Sequence, residues 1–192
     1  YNVAVENVYT SNGSDDILNF AFMAFGEKGA AFSDITYGFY KVFSDLYEIK
    51  AQIIPLKDDF SLDYHDYLKL NKLIVIANPN APTGLALSLG EIEEILKANP
   101  DGVVVIDEAY VDFGGQSAVG LIKKYPNLLV VQTYSKSRSL AGARLGYCFG
   151  DKELIDDLKR IKYSTNPYNV NSLTQAAGVA ALDEEEYYQA NC

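Results

Sequence analysis

GVVVIDEAY (residues 102–110) is preceded by KLIVIANP at 72–79 and followed by NLLVVQTYS at 127–135. Each run has an apolar centre without polar alternation, at Leu73–Ile76, Val103–Ile106 and Leu128–Val131, and then turns abruptly polar. Strands that are apolar on both faces need helices on both sides, which is the habit of parallel sheets. Helical punctuation lies between and beyond them. Ser88 is a candidate N-cap with Glu91 three residues on, and Asp151 opens a helix ending near Lys162. Working outward, NVYT precedes the amphipathic DDILNFAFMAF, IKAQIIPL reads as a strand, and LGYCFG precedes KELIDDLKRI. Strand and helix alternate, so the expected fold is α/β, a three-layer αβα domain around a mostly parallel sheet. Segment 55–72 is more polar and reads as a connector with a short helix, and Ser172–Gln189 reads as one closing helix.

Composition bounds the function. A chain of 192 residues is long enough to bury roughly 70% of the surface it would expose unfolded. Apolar residues make up 48% and charged residues 22%, which argues for a packed globule, and no apolar run approaches the ~20 residues of a membrane helix. The net charge of −10 disfavours nucleic acid and anionic membranes as partners, since both are held by clustered Lys and Arg. Cys148 and Cys192 suggest neither a metal site nor a disulfide framework. With no signal-peptide pattern, a reducing cytoplasmic setting is expected. The single histidine, His65, sits in the polar connector and is expected at the surface.

In parallel sheets, functional groups collect at the carboxyl ends of strands, where helix N-termini point free amides. Asp107 ends one apolar strand, and Lys136 lies 29 residues later, just past another. A buried carboxylate that faces a pyridinium nitrogen and a lysine that anchors an aldehyde are the two groups pyridoxal phosphate requires. Arg144 offers a planar fork suited to a phosphate, with Arg138 a second candidate in the same loop. Lys136 is followed by the small residues Ser137, Ser139, Ala141, Gly142 and Ala143, which leave room for a planar ring. Burial and a neighbouring arginine are expected to ease loss of its proton. In SNGSDD, the amides of Gly13, Ser14 and Asp15 can receive an anion, although the same residues also make an ordinary turn and cap. Glu108 is expected to turn away into a structural pair.

Five motifs in one order, SNGSDD (Ser11–Asp16), ANPNAPTG (Ala77–Gly84), DEAY (Asp107–Tyr110), TYSKSRSLAGARLGY (Thr133–Tyr147) and PYNVN (Pro167–Asn171), resemble the large domain of the fold-type I pyridoxal-phosphate aminotransferases. The similarity is strongest to the histidinol-phosphate aminotransferase family. It covers nearly the whole chain. It implies pyridoxal 5'-phosphate as cofactor, with catalytic Lys136, Asp107 and Tyr110, the last donating its phenol to the ring oxygen. It implies that Thr133, Ser135 and Arg144 line the phosphate cup with Gly13, Ser14 and Asp15. Tyr37 corresponds to the aromatic on the ring face, with Tyr40 close enough to compete. The family carries an asparagine immediately before Pro-Thr-Gly, where this chain has Ala81, so either Asn80 or Asn78 reaches the ring oxygen instead, or Tyr110 acts there with less help. The loop holds Pro79 and Pro82, so a cis peptide is plausible there.

The resemblance further implies an antiparallel strand at LGYCFG, a homodimer, and a longer protein. Residues 1–165 correspond to the cofactor-binding large domain and 166–192 to the start of an interdomain helix. An arm before Tyr1 and a smaller C-terminal domain would carry substrate-binding groups. The implied reaction transfers an amino group from a small-molecule donor, histidinol phosphate, to a 2-oxo acid, 2-oxoglutarate. An aromatic aminotransferase or a decarboxylase of a phosphorylated amino acid would share the same motifs. A nucleotide-binding module without chemistry is the reading from another class, and no GxGxxG or GxxxxGK[ST] element supports it.

Overall fold

The computed structural model describes all 192 residues. A seven-stranded sheet forms the middle layer: β1 (Val8–Ser11), β2 (Ala30–Ser33), β3 (Ala51–Ile54), β4 (Leu73–Ala77), β5 (Val104–Asp107), β6 (Leu128–Thr133) and β7 (Gly146–Gly150). Their spatial order is β1-β7-β6-β5-β4-β2-β3. All neighbours are parallel except β7, which runs against both β1 and β6. The helices are α1 (Ser14–Phe25), α2 (Phe39–Leu46), α3 (Leu89–Ala98), α4 (Lys152–Thr165), α5 (Ser172–Leu182) and α6 (Glu185–Gln189).

The two-residue period of a strand sorts the apolar runs between two cores. Leu73, Val75, Val105, Leu129 and Val131 pack with Ile17, Phe22, Tyr40, Phe43 and Leu158 from α1, α2 and α4. Their sequence neighbours Ile74, Ile76, Val104, Ile106, Leu128 and Val130 pack with Ile92, Ile95 and Leu96 of α3 and with Ala118 and Val119 of a short 3-10 turn. This is the physical content of the unbroken apolar runs: each strand feeds both layers, and the αβα sandwich follows.

Several local expectations meet the structure directly. Ser88 caps α3 in a reciprocal box with Glu91, and Asp151 caps α4. His65 is exposed beside Asp63. Both Asn78–Pro79 and Ala81–Pro82 are cis. Two elements escape the sequence reading. β2 is only Ala30-Ala-Phe-Ser33, too short and alanine-rich to show a strand pattern. In α2 only Tyr40, Phe43 and Ser44 are buried, so its periodicity spans a single turn. The closing helix is a correction, because it breaks between Leu182 and Glu185 into α5 and α6. The break is held by Arg138, which donates to the Ala181 carbonyl at 3.3 Å and pairs with Glu185 at 2.6 Å.

Candidate active site

Strand register brings the motifs to one edge. Ser11 and Thr133 both pair with Gly146, and Ala77 pairs with Asp107. The carboxyl ends of β1, β4, β5 and β6 therefore share a rim with the start of β7. A cavity of ≈ 190 Å³ opens there, lined by Ser14, Asp15, Tyr37, Ala77, Pro79, Ala81, Asp107, Ala109, Tyr110, Thr133, Ser135, Lys136, Ala141 and Arg144.

Asp107 forms the floor. It follows the parity of Val105 and so points to the α1–α2 side, where it is 4% exposed. Its Oδ2 accepts the Tyr40 hydroxyl at 2.7 Å and its Oδ1 the Ala109 amide at 3.2 Å. Burial pushes its carboxyl up to about 6, against the pull of the Tyr40 and Ala109 hydrogen bonds. No cation hydrogen-bonds it. A buried carboxylate left so is costly, and the site fits a ligand that brings a positive charge to it.

Glu108 has the opposite parity and points to the α3 side, turned away from the cavity. Its partners are neutral rather than cationic: Ser117 Oγ at 2.7 Å, the Ala118 amide at 2.6 Å and Gln132 Nε2 at 2.6 Å. Burial raises its carboxyl above the usual range, opposed by these three donors. Gln132, absent from the sequence-based candidates, could have been assigned to this face from parity alone.

The end of the cavity expected to receive a phosphate is built from the first turn of α1 and the loop after β6. Gly13 is at φ +89°, and its amide is spent on Ser11 O at 2.9 Å, so the three-amide expectation is corrected to the amides of Ser14 and Asp15. No side chain caps α1, which leaves its N-terminal charge open to an anion. A Cβ on Gly13 would lie 2.6 Å from Arg144 Nη2, so the guanidinium lies directly against the turn. Arg144 pairs with Asp15 Oδ2 at 3.1 Å, while Asp15 Oδ1 accepts the Tyr37 hydroxyl at 2.7 Å. Thr133 Oγ1 lies 3.0 Å from Ser135 Oγ. This donor set fits a phosphate. Arg138 instead faces α5 and α6 and is no part of it.

Tyr37 stands at the wall. Tyr40 is fully buried behind it, the two rings meeting edge to face at 5.6 Å. Lys136 corrects the expected burial: it is exposed, with Nζ 5.0 Å from the centre of the Tyr110 ring. Its backbone lies in the loop beyond β6, outside the packed layers. Its turn is tied to the loop after Tyr110 by Ser137, which donates to Asp112.

Asn80 is a further correction. It lies outside the cavity: its Oδ1 accepts from Thr36 Oγ1 at 2.9 Å and its amide donates to Ile35 O at 3.0 Å and Thr83 Oγ1 at 3.2 Å. Asn78 is equally committed, clasping the Leu87 backbone with both ends of its amide. Both asparagines hold the cis-proline loop in shape, and of Asn78, Asn80 and Ala81 only Ala81 lines the cavity.

The sequence matches the family model of aminotransferase class I and II over residues 1–191. It is 53% identical over 192 residues to the histidinol-phosphate aminotransferase of Brachyspira hyodysenteriae, which covers 98% of this chain and 54% of the relative. The chain thus spans about half the length of the curated relatives it matches. Among solved structures, it superposes on a histidinol-phosphate aminotransferase from Sinorhizobium meliloti, in complex with pyridoxal-5'-phosphate, with TM-score 0.82 and 23% identity, over 96% of this chain and 52% of that one. It also superposes on an L-threonine-O-3-phosphate decarboxylase from Porphyromonas gingivalis, with TM-score 0.78 and 22% identity, over 97% and 56%. At these identities the two superpositions speak to the fold.

Proposed function

The chain belongs to the class I and II aminotransferases, and from that membership we propose that it is the cofactor-binding part of a histidinol-phosphate aminotransferase. The whole protein then transfers an amino group from histidinol phosphate to 2-oxoglutarate, in histidine biosynthesis, with pyridoxal 5'-phosphate. The observation that supports this best is the meeting of Asp107, Lys136 and Arg144 around one cavity. Identity of 53% to a histidinol-phosphate aminotransferase supports the choice of substrate.

When bound, pyridoxal phosphate supplies an electron sink for the pair left at a substrate Cα. This chain's residues do the rest. The amides of Ser14 and Asp15, the Arg144 guanidinium and the hydroxyls of Thr133 and Ser135 receive the phosphate. Asp107 accepts from the ring nitrogen, whose positive charge offsets the burial of the carboxylate. Tyr37 flanks the ring and Tyr110 donates to its oxygen. Lys136 anchors the aldehyde carbon. With its amine free, Lys136 would serve as the general base and then the general acid of the 1,3-proton shift that transamination requires.

In this reading residues 1–165 form the large domain and 166–192 lead toward a smaller one that completes the substrate site. The protein works as a cytoplasmic homodimer. Two free cysteines and the absence of any helix long and apolar enough to cross a membrane are compatible with that setting. A decarboxylase of a phosphorylated amino acid is the second reading, since the Porphyromonas gingivalis enzyme carries that reaction on the same fold.

The test is borohydride reduction after incubation with pyridoxal phosphate, followed by peptide mapping. A pyridoxyl group on Lys136 alone is expected, and a folded chain labelled elsewhere or not at all would overturn the cofactor reading. With the full-length protein, glutamate formed from histidinol phosphate and 2-oxoglutarate supports the transaminase. Carbon dioxide release from a phosphorylated amino acid, without glutamate, would select the decarboxylase.

A further inference from the structure

We propose that Tyr40 is a positioning residue for Asp107: its phenol fixes the orientation of the carboxylate and holds it in the charged form. The inference rests on the cofactor-binding reading for its purpose, though not for its geometry.

Tyr40 is 0% exposed, and its hydroxyl has one hydrogen-bond partner, Asp107 Oδ2, at 2.7 Å. The other carboxylate oxygen takes the Ala109 amide. One donor on each oxygen, one from α2 and one from the turn after β5, defines the plane of the carboxylate. The phenol is itself held, with its ring edge to face against Phe32 at 5.9 Å and against Tyr37 at 5.6 Å. Tyr37 lines the cavity, so one tyrosine ring flanks the ligand while the next fixes the acid beneath it.

The chemistry follows from the direction of the bond. Burial and the adjacent Asp107 charge push the Tyr40 phenol well above its ordinary range, so it remains a donor throughout the working pH range. A donor to a carboxylate favours the ionised form. Two charged groups act on Asp107 from other elements, Asp15 on α1 against ionisation and Lys136 beyond β6 in favour of it. Tyr40 is the side chain in hydrogen-bond contact. A phenylalanine would fill the same space and leave Oδ2 buried without its donor.

The experiment is a carbon-13 NMR titration of the Asp107 carboxyl in the cofactor-free 192-residue chain, with Asp107→Asn identifying the resonance. In Tyr40→Phe the midpoint is expected to rise by about one pH unit or more, at least about tenfold in proton affinity. A purely structural tyrosine would leave the midpoint in place, and an unchanged midpoint in folded Tyr40→Phe overturns the proposal. Should that variant fail to fold, the native chain decides. The Tyr40 Cζ resonance must then move with the Asp107 midpoint, and a Cζ that ignores it overturns the proposal. Uptake of pyridoxal phosphate, scored separately by absorbance, tests the cofactor reading, so a coupled titration without uptake would sink that reading and leave the pair intact.

Discussion

Asp107 and Glu108 are consecutive, both buried and both acidic, yet parity sends them to opposite faces of the sheet. Glu108 is satisfied by three neutral donors, whereas Asp107 faces a cavity with two. The folded carboxyl of Asp107 titrates at about 6, against 3.8 as its ordinary value. Between those values the native state binds more protons than the unfolded one, so stability falls as pH rises through the window. The cost in the cofactor-free protein is about 3 kcal/mol once Asp107 is fully ionised. Denaturant unfolding should therefore find Asp107→Asn equal to the native chain below pH ~4 and more stable by up to about 3 kcal/mol at pH 8. A native chain whose stability is flat across that window would refute the uncompensated charge. At this scale the motifs were readable because Asp107, Thr133, Ser135, Lys136 and Arg144 sit at strand ends. Asn80 was misplaced because a side chain's direction in a proline-rich loop depends on partners, Thr36 and Ile35, that lie 44 and 45 positions away.

Elements place these residues by close backbone approach. Gly146 opens β7 where a Cβ would lie 2.3 Å from the Ser14 amide nitrogen and 2.4 Å from the Gly13 carbonyl carbon. Backbone atoms cannot move aside as a flexible side chain does. Gly146→Ala is expected to push the first turn of α1 off the sheet, lowering the melting temperature and weakening pyridoxal phosphate uptake more than tenfold. Isothermal titration beside a thermal melt measures both, and retained affinity would show that the turn tolerates the shift. At α3, far from the cavity, Ser88 Oγ accepts the Glu91 amide at 3.3 Å while Glu91 Oε2 accepts the Ser88 amide at 2.7 Å. Ser88→Ala should cost about 1 kcal/mol in urea unfolding and leave cofactor uptake unchanged. Capped helices of this kind announce themselves in sequence. β2 and α2 did not, because a four-residue strand with two alanines and one amphipathic turn carry too little periodicity. Those two elements nevertheless bring Tyr37 and Tyr40 to the site.

The whole molecule is a sheet with a core on each face, and that arrangement separates its two thiols. Cys148 lies inside β7 at 0% exposure, where burial pushes its thiol far up, while Cys192 is exposed. A thiol reagent should label one cysteine in the native chain and both in denaturant, read by mass spectrometry; rapid native labelling of Cys148 would mean the β1–β7 edge opens easily. Sequence alone carried the layered class, since apolar runs without alternation demand cover on both faces, and it carried the residue types at the strand ends, since those depend on local order along the chain. It could not decide that Lys136 is exposed, that Asn78 and Asn80 serve the loop, that Arg138 pins the break before α6, or that Tyr40 stands behind Asp107. The partners of Asn80, Arg138 and Tyr40 lie far away in the chain, and the energy of such contacts exists only after the sheet has set their distance and direction.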